Sequence, residues 1–269
     1  MVHSLFACVL FLAVLFLWHG SYAGSCATLV FPGLIWLAIF NGLLQSRLER
    51  KRFSVDYYLD RRSFVHRRLQ RNWLSVLISL SAAGVLAAFL VVFAARSRPS
   101  DWYFLCAAAA AAPLLFHGLS NSLGRHVRGH SGDRKRRTTL ADVLLVRMAG
   151  RLLLVGMAAA YVYVNYYLIP VPIGIDPDSL ERTLEAFAVS ARSACPLVQD
   201  VLLIATQMEG LSWYFVTTAA TSEWLHDGVG SLLWVAFFLN AAMVFGGVVR
   251  GLEGSILLAC ATVGRQRQE

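Results

Sequence analysis

Charge is scarce in this sequence. Asp, Glu, Lys and Arg make up 15% of its 269 residues, against about a quarter in soluble domains. With apolar residues this abundant, intrinsic disorder is excluded. Cysteine is also scarce, five in all, which excludes a small disulfide scaffold. Lysine is nearly absent, with two among 24 basic residues. The signatures GxSxG, GxxxxGKS/T, HExxH, CxxC and GxGxxG are all missing. His126 and His130 have metal-like i, i+4 spacing, but no third ligand follows and glycines surround them. These absences lead us to expect no catalytic residue, no cofactor and no metal site.

What the sequence has instead is long apolar runs. Hydrophobic residues reach 57% and mean hydropathy is +0.58. A hydrocarbon layer about 30 Å thick needs about 20 apolar residues in a helix, with every backbone polar group satisfied internally. Runs at 5–18, 27–44, 73–95, 102–119, 152–169 and 231–249 approach or meet that length. The expected fold is an all-α, multi-pass transmembrane helix bundle of six spans. A seventh run, 197–220, is interrupted by Gln199, Asp200, Gln207, Glu209 and Gly210. It reads as a re-entrant or interfacial helix, with a seventh span as the alternative. The 1–23 stretch reads as a retained first span or, alternatively, as a secretory signal ending Ser21-Tyr22-Ala23.

Basic residues orient the spans. Segment 46–72 holds nine against three acids, segment 121–151 eight against two, and segment 169–230 only two against eight. Both termini and both basic loops are therefore expected on the cytoplasmic side or its equivalent. The organisation read this way is 1–26 first span or signal-like segment, 27–45 span 2, and 46–72 basic amphipathic segment. Then come 73–120 as a hairpin of spans 3 and 4, 121–151 basic loop, 152–169 span 5, 170–230 extracytoplasmic helical excursion, 231–249 span 6, and 250–269 cytoplasmic tail. With these boundaries no span holds a carboxylate, which argues against ion-coupled transport. Thr139 to Asp142 has capping-box spacing, a helix start for span 5. Tyr161, Tyr163, Tyr166, Tyr167, Trp73, Trp102 and Tyr103 read as interfacial aromatics.

Three sets of residues stand out. Arg61, Arg62, Arg67, Arg68 and Arg71, with Arg147 and Arg151, are candidates for contact with lipid headgroups or a partner. For Arg147 and Arg151 the plainer reading is snorkelling to the interface. Gly84, Gly150, Gly156, Gly247 and Gly251 mark small-residue helix faces, the last two forming a GxxxG. They serve either packing within the protein or docking onto another one. Asp176-Pro177 reads as the start of an amphipathic helix carrying Leu180, Leu184, Phe187 and Ala191 on one face. Cys8, Cys106 and Cys260 read as small hydrophobes, while Cys26 and Cys195 fall on one membrane face and are candidates for a disulfide. The functional expectation is a non-enzymatic accessory or scaffold subunit of a larger membrane assembly. Its partners would be other membrane proteins and anionic lipids, with no nucleic acid. A channel or facilitative transporter is the alternative, and a lipid-modifying enzyme a more remote one.

Overall fold

The computed structural model describes residues 2–58, 73–122, 134–167, 175–176, 179–189, 192–221 and 229–266. In chain order the helices are α1 Val2–Ser21, α2 Val30–Tyr58 with a short 3-10 turn Cys26–Leu29 before it, α3 Trp73–Arg96 and α4 Pro99–Ser122. They continue with α5 Arg134–Tyr167, α6 Leu180–Ala188, α7 Pro196–Thr221 and α8 Val229–Gln266. Among the described residues every regular element is helical.

The buried positions follow the helical repeat. On α1 they are Ser4, Cys8, Phe11, Leu15 and Trp18, alternating steps of three and four along one face. On α2 they are Ile35, Ile39, Gly42 and Ser46. The opposite faces are apolar as well: Phe6, Val9 and Leu10 on α1, and Leu74, Leu77 and Ile78 on α3, are exposed. A helix that is apolar all round belongs in lipid. Six stretches have the length and composition to cross: Val2–Ser21, Cys26–Leu48, Trp73–Arg96, Pro99–Ser122, Leu144–Val164 and Phe238–Cys260. The expected all-α, six-span bundle is the fold observed.

The α3–α4 turn shows how local chemistry closes a hairpin. Pro99 supplies the first residue of α4, where its missing N–H costs nothing. Asp101 reaches back and accepts from the Arg98 backbone N–H at 2.7 Å, half of a capping box. Asp101 is buried.

α8 is the axis of the bundle, and its glycines set how closely its neighbours approach. Gly247 faces the Leu86 carbonyl and Leu90 of α3, Gly251 faces the Phe11 ring of α1, and Gly254 faces Ala38 and Gly42 of α2. A β-carbon on Gly42 would stand 2.6 Å from the Arg250 carbonyl oxygen and 3.0 Å from the Gly254 nitrogen. The two backbones touch there, an approach only small residues permit in a membrane.

Three boundaries differ from those read in the sequence. α5 begins at Arg134 rather than at Thr139, because the Arg-Lys-rich stretch ahead of it is itself a good helix former. Its span, Leu144–Val164, takes in Arg147 and Arg151. The segment read as a cytoplasmic tail from residue 250 is instead the continuation of α8, and Gly251 through Leu257 are buried. Its charge is compensated inside the bundle, so charge did not mark the helix end.

At one face of the bundle α7 is fastened to the α1–α2 turn. Ala194 N–H donates to Ala23 O at 3.0 Å, Ser193 Oγ donates to Tyr22 O at 2.8 Å, and Cys26 and Cys195 are joined in a disulfide with Cα atoms 4.9 Å apart. Further along, Glu209 of α7 pairs with Arg96, the last residue of α3. Both anchor points lie at the same ends of the spans, here called the disulfide face. α7 therefore runs along that face, and it is not among the six stretches able to cross. The disulfide closes a loop of 169 residues, for which chain entropy gives about 5 kcal/mol. Reduction, or Cys195→Ser, is expected to lower the melting temperature in mild detergent and to shift mobility on a non-reducing gel. An unchanged melting temperature would contradict the tether.

α6 is the expected amphipathic helix, with Thr183 and Phe187 buried, and it packs on α7 with Phe187 against Gly210. Its cap is Ser179, whose side chain accepts from Arg182 N–H at 3.3 Å, and not Asp176. The Asp176 carboxylate is held by the Arg182 guanidinium at 3.2 Å, and its backbone is tied to Thr183 Oγ1. Asp176 thus closes the loop ahead of the helix.

Candidate functional site

The most unusual chemistry in the bundle is a carboxylate inside a span. Glu253 sits on α8 seven residues before the end of the Phe238–Cys260 stretch, about 10 Å along the helix axis. Arg151 sits seven residues into Leu144–Val164 on antiparallel α5, so the two share a depth. Glu253 is 5% exposed. Arg250, one turn earlier, donates from Nη1 to Glu253 Oε2 at 2.5 Å. The second oxygen, Oε1, is buried with no hydrogen-bond partner. It lies against Gly150 of α5, at the place where a β-carbon would otherwise stand. Arg147 and Arg151, flanking Gly150 in sequence, add to the electrostatic field on the carboxylate.

The arrangement has a local logic. Gly150 has no side chain, so a carboxylate from α8 can press against the α5 backbone. Arginines three residues before and one after it on α5 supply positive charge at the same level. Gly42 of α2 abuts α8 between Arg250 and Gly254, so its neighbour Asn41 lies at this depth too; Asn41 Oδ1 accepts from Gln45 Nε2 at 3.0 Å. Among the described residues the result is a polar layer near the arginine-rich face that brings Arg147, Arg151 and Arg250 around Glu253. It joins α8 to α5, with Arg151 exposed. Arg147 and Arg151 lie within the Leu144–Val164 stretch and not before it; Arg147 is half-buried and Arg151 exposed, positions from which long side chains still reach the interface.

A second polar group lies at the disulfide face. Besides the Arg96–Glu209 pair, Tyr161 is hydrogen-bonded to the buried Asp101 side chain. The Tyr161 ring packs among Phe93, Phe104 and Phe245 at centroid distances of 5.8, 5.4 and 5.2 Å. It sits near the end of its span, as an interfacial aromatic does, but is half-buried and turned inward, with Asp101 meeting its hydroxyl. Trp73, Tyr103 and Tyr163 are exposed. His19 Nδ1 lies 2.8 Å from Ala94 O and ties α1 to α3.

The remaining candidate residues divide. Gly150, Gly247 and Gly251 make contacts within the protein. Around Gly84 and Gly156 a β-carbon would meet nothing within 4 Å, so those two positions are open. Cys8 is buried, while Cys106 is exposed on the outward side of α4. Arg61, Arg62, Arg67, Arg68 and Arg71 lie outside the described residues. Glu253, Gly42 and Gly254 were missed in the sequence reading. The signal was there: an Arg-x-x-Glu pair one turn apart within a helix otherwise fit to cross a membrane, followed at once by glycine.

Fold and polar layers together define a multi-pass membrane protein of six helical spans with an interfacial helix strapped across one face. Neither protein-family models, nor curated proteins, nor solved structures include a match to the chain.

Proposed function

We propose that the protein is a non-enzymatic accessory or scaffold subunit of a larger membrane assembly. The observation that carries this reading is the separation of its charge into two layers. Between the Glu253 layer and the Asp101–Glu209 layer the bundle axis is filled by Phe11, Leu90, Phe245 and Val248, all buried in one apolar cluster. Such packing favours a rigid body over a conduit, since an ion path needs polar lining at every depth. The basic excess of segments 46–72 and 121–151, with Arg151 exposed beside them, favours anionic headgroups or an acidic partner segment at the arginine-rich face. Purification in mild detergent, followed by mass measurement and identification of co-purifying proteins, tests the reading. A defined hetero-complex is expected. A homo-oligomer that conducts ions or solutes in liposomes would replace it with the channel reading.

In this proposal the arginine-rich face is cytoplasmic, by the distribution of basic residues, and the disulfide face lies in an oxidising space. Cysteines introduced at Arg134 and Glu181 should be labelled by an impermeant maleimide from opposite sides, Glu181→Cys from outside. Labelling of both from one side would contradict the topology.

A further inference from the structure

A groove opens on the side of the bundle between α2, α3 and α7. Its volume is about 350 Å³. Gly33 and Trp36 of α2, Gly84 and Ala88 of α3, and Leu197 and Val201 of α7 form its walls. The small residues create it: β-carbons on Gly33 and Gly84 would meet nothing within 4 Å. The lining offers no hydrogen bond. Trp18, at the back, already donates its indole N–H to Val91 O at 2.9 Å. A water needs two to four polar partners, so water does not occupy this space stably.

Length and depth narrow the occupant further. Along α3 the groove runs from Gly84 to Val92, eight residues or about 12 Å. Val92 lies four residues inside the end of α3 at Arg96, about 6 Å below it. The groove therefore reaches from just beneath the disulfide face to about 18 Å, roughly half of a bilayer whose hydrocarbon is about 30 Å thick. Its walls are apolar side chains of three helices, and it lies within the depth of one leaflet. A hydrocarbon chain of the adjoining leaflet matches that chemistry and that depth.

We propose that this groove holds one acyl chain of a bilayer lipid, drawn from the leaflet at the disulfide face. The disulfide and the Arg96–Glu209 pair hold α7 in place as its closing wall. The site is independent of whether the protein is a subunit of an assembly.

The test uses the full chain in nanodiscs of phosphatidylcholine carrying a photoactivatable diazirine at mid-chain, with adducts mapped by mass spectrometry. Adducts should concentrate at 32–36, 84–92 and 197–202. A leucine at Gly84 or at Gly33 displaces at least two methylenes of the chain, which weakens occupancy about tenfold. Gly156→Leu, at an equally open glycine on α5, should leave the pattern unchanged. Having two separate filling variants keeps the test decisive if one fails to fold, as judged by its melting curve. Adducts spread evenly over all outward helix faces, or labelling unaffected by both filling variants, would overturn the proposal. Protein–protein adducts from a diazirine amino acid at Gly84 in native membranes, in place of lipid adducts, would overturn it as well.

Discussion

Leucine in place of Gly254 is expected to prevent the bundle from forming. A β-carbon at this position would run into the Ala38 carbonyl and stand 3.0 Å from the Gly42 nitrogen. Both obstacles are backbone atoms, which have no rotamer to escape into. Overpacking a core costs about 1–3 kcal/mol when side chains can yield, so a leucine here should cost about 3 kcal/mol or more. That is a large share of the 5–15 kcal/mol that holds a typical domain. Even Gly254→Ala should be measurably destabilised. Gly156→Leu should be close to neutral, because its β-carbon meets nothing. Thermal melts read by a thiol-reactive dye, in a Cys106→Ser, Cys260→Ser background, check the series: Cys8 is buried and labels only as the bundle opens around α1. A wild-type melt for Gly254→Leu would show that α2 and α8 are not in contact there.

The contrast between Gly254 and Gly156 shows what the sequence makes legible and what it does not. The number of spans was readable because bilayer thickness sets run length directly. Alternation of the spans put Cys26 and Cys195 at one face and made them a candidate pair, and the structure joins them. The glycines were readable as small-residue faces, but their partners were not. Gly247, Gly251 and Gly254 touch three different helices, because a central helix is surrounded and presents contacts on every side. Gly247 and Gly251 look like one dimerisation motif only when α8 is imagined with a single neighbour. The inward contact of Tyr161 was not legible for a similar reason. Its hydroxyl partner, Asp101, lies 60 residues away in sequence, and nothing local announces it.

Glu253 was hidden by the rule that found the spans. A hydropathy reading treats charge as the end of a membrane segment, so α8 was closed at residue 249 and the carboxylate assigned to a tail. Charge terminates a span only when it is uncompensated. Here Arg250 lies one turn away on the same helix, and Arg147 and Arg151 approach from α5. The desolvation cost is met within the protein, and the helix continues, buried, through Leu257.

That account makes a definite statement about substitution. Glu253→Ala removes the carboxylate that pairs with Arg250 and leaves that guanidinium, 21% exposed at its side chain, without it. Breaking a buried pair from one side costs about 3–5 kcal/mol, whereas replacing both partners with apolar groups of similar volume is often neutral or stabilising. Glu253→Ala should therefore melt far below the wild type. Glu253→Gln should fall between, since it keeps the volume and one acceptor but loses the charge. The double variant Arg250→Met with Glu253→Met should recover most or all of the stability. Melting curves in mild detergent and in nanodiscs measure the cycle, and recovery should be at least as complete in the nanodisc, where the surroundings are less polar. If the double variant were as unstable as Glu253→Ala, the pair would be acting through packing against Gly150 and not through charge. Recovery instead means that the ion pair is not required for folding, and that the contact of α8 with Gly150 of α5 holds with apolar side chains in its place.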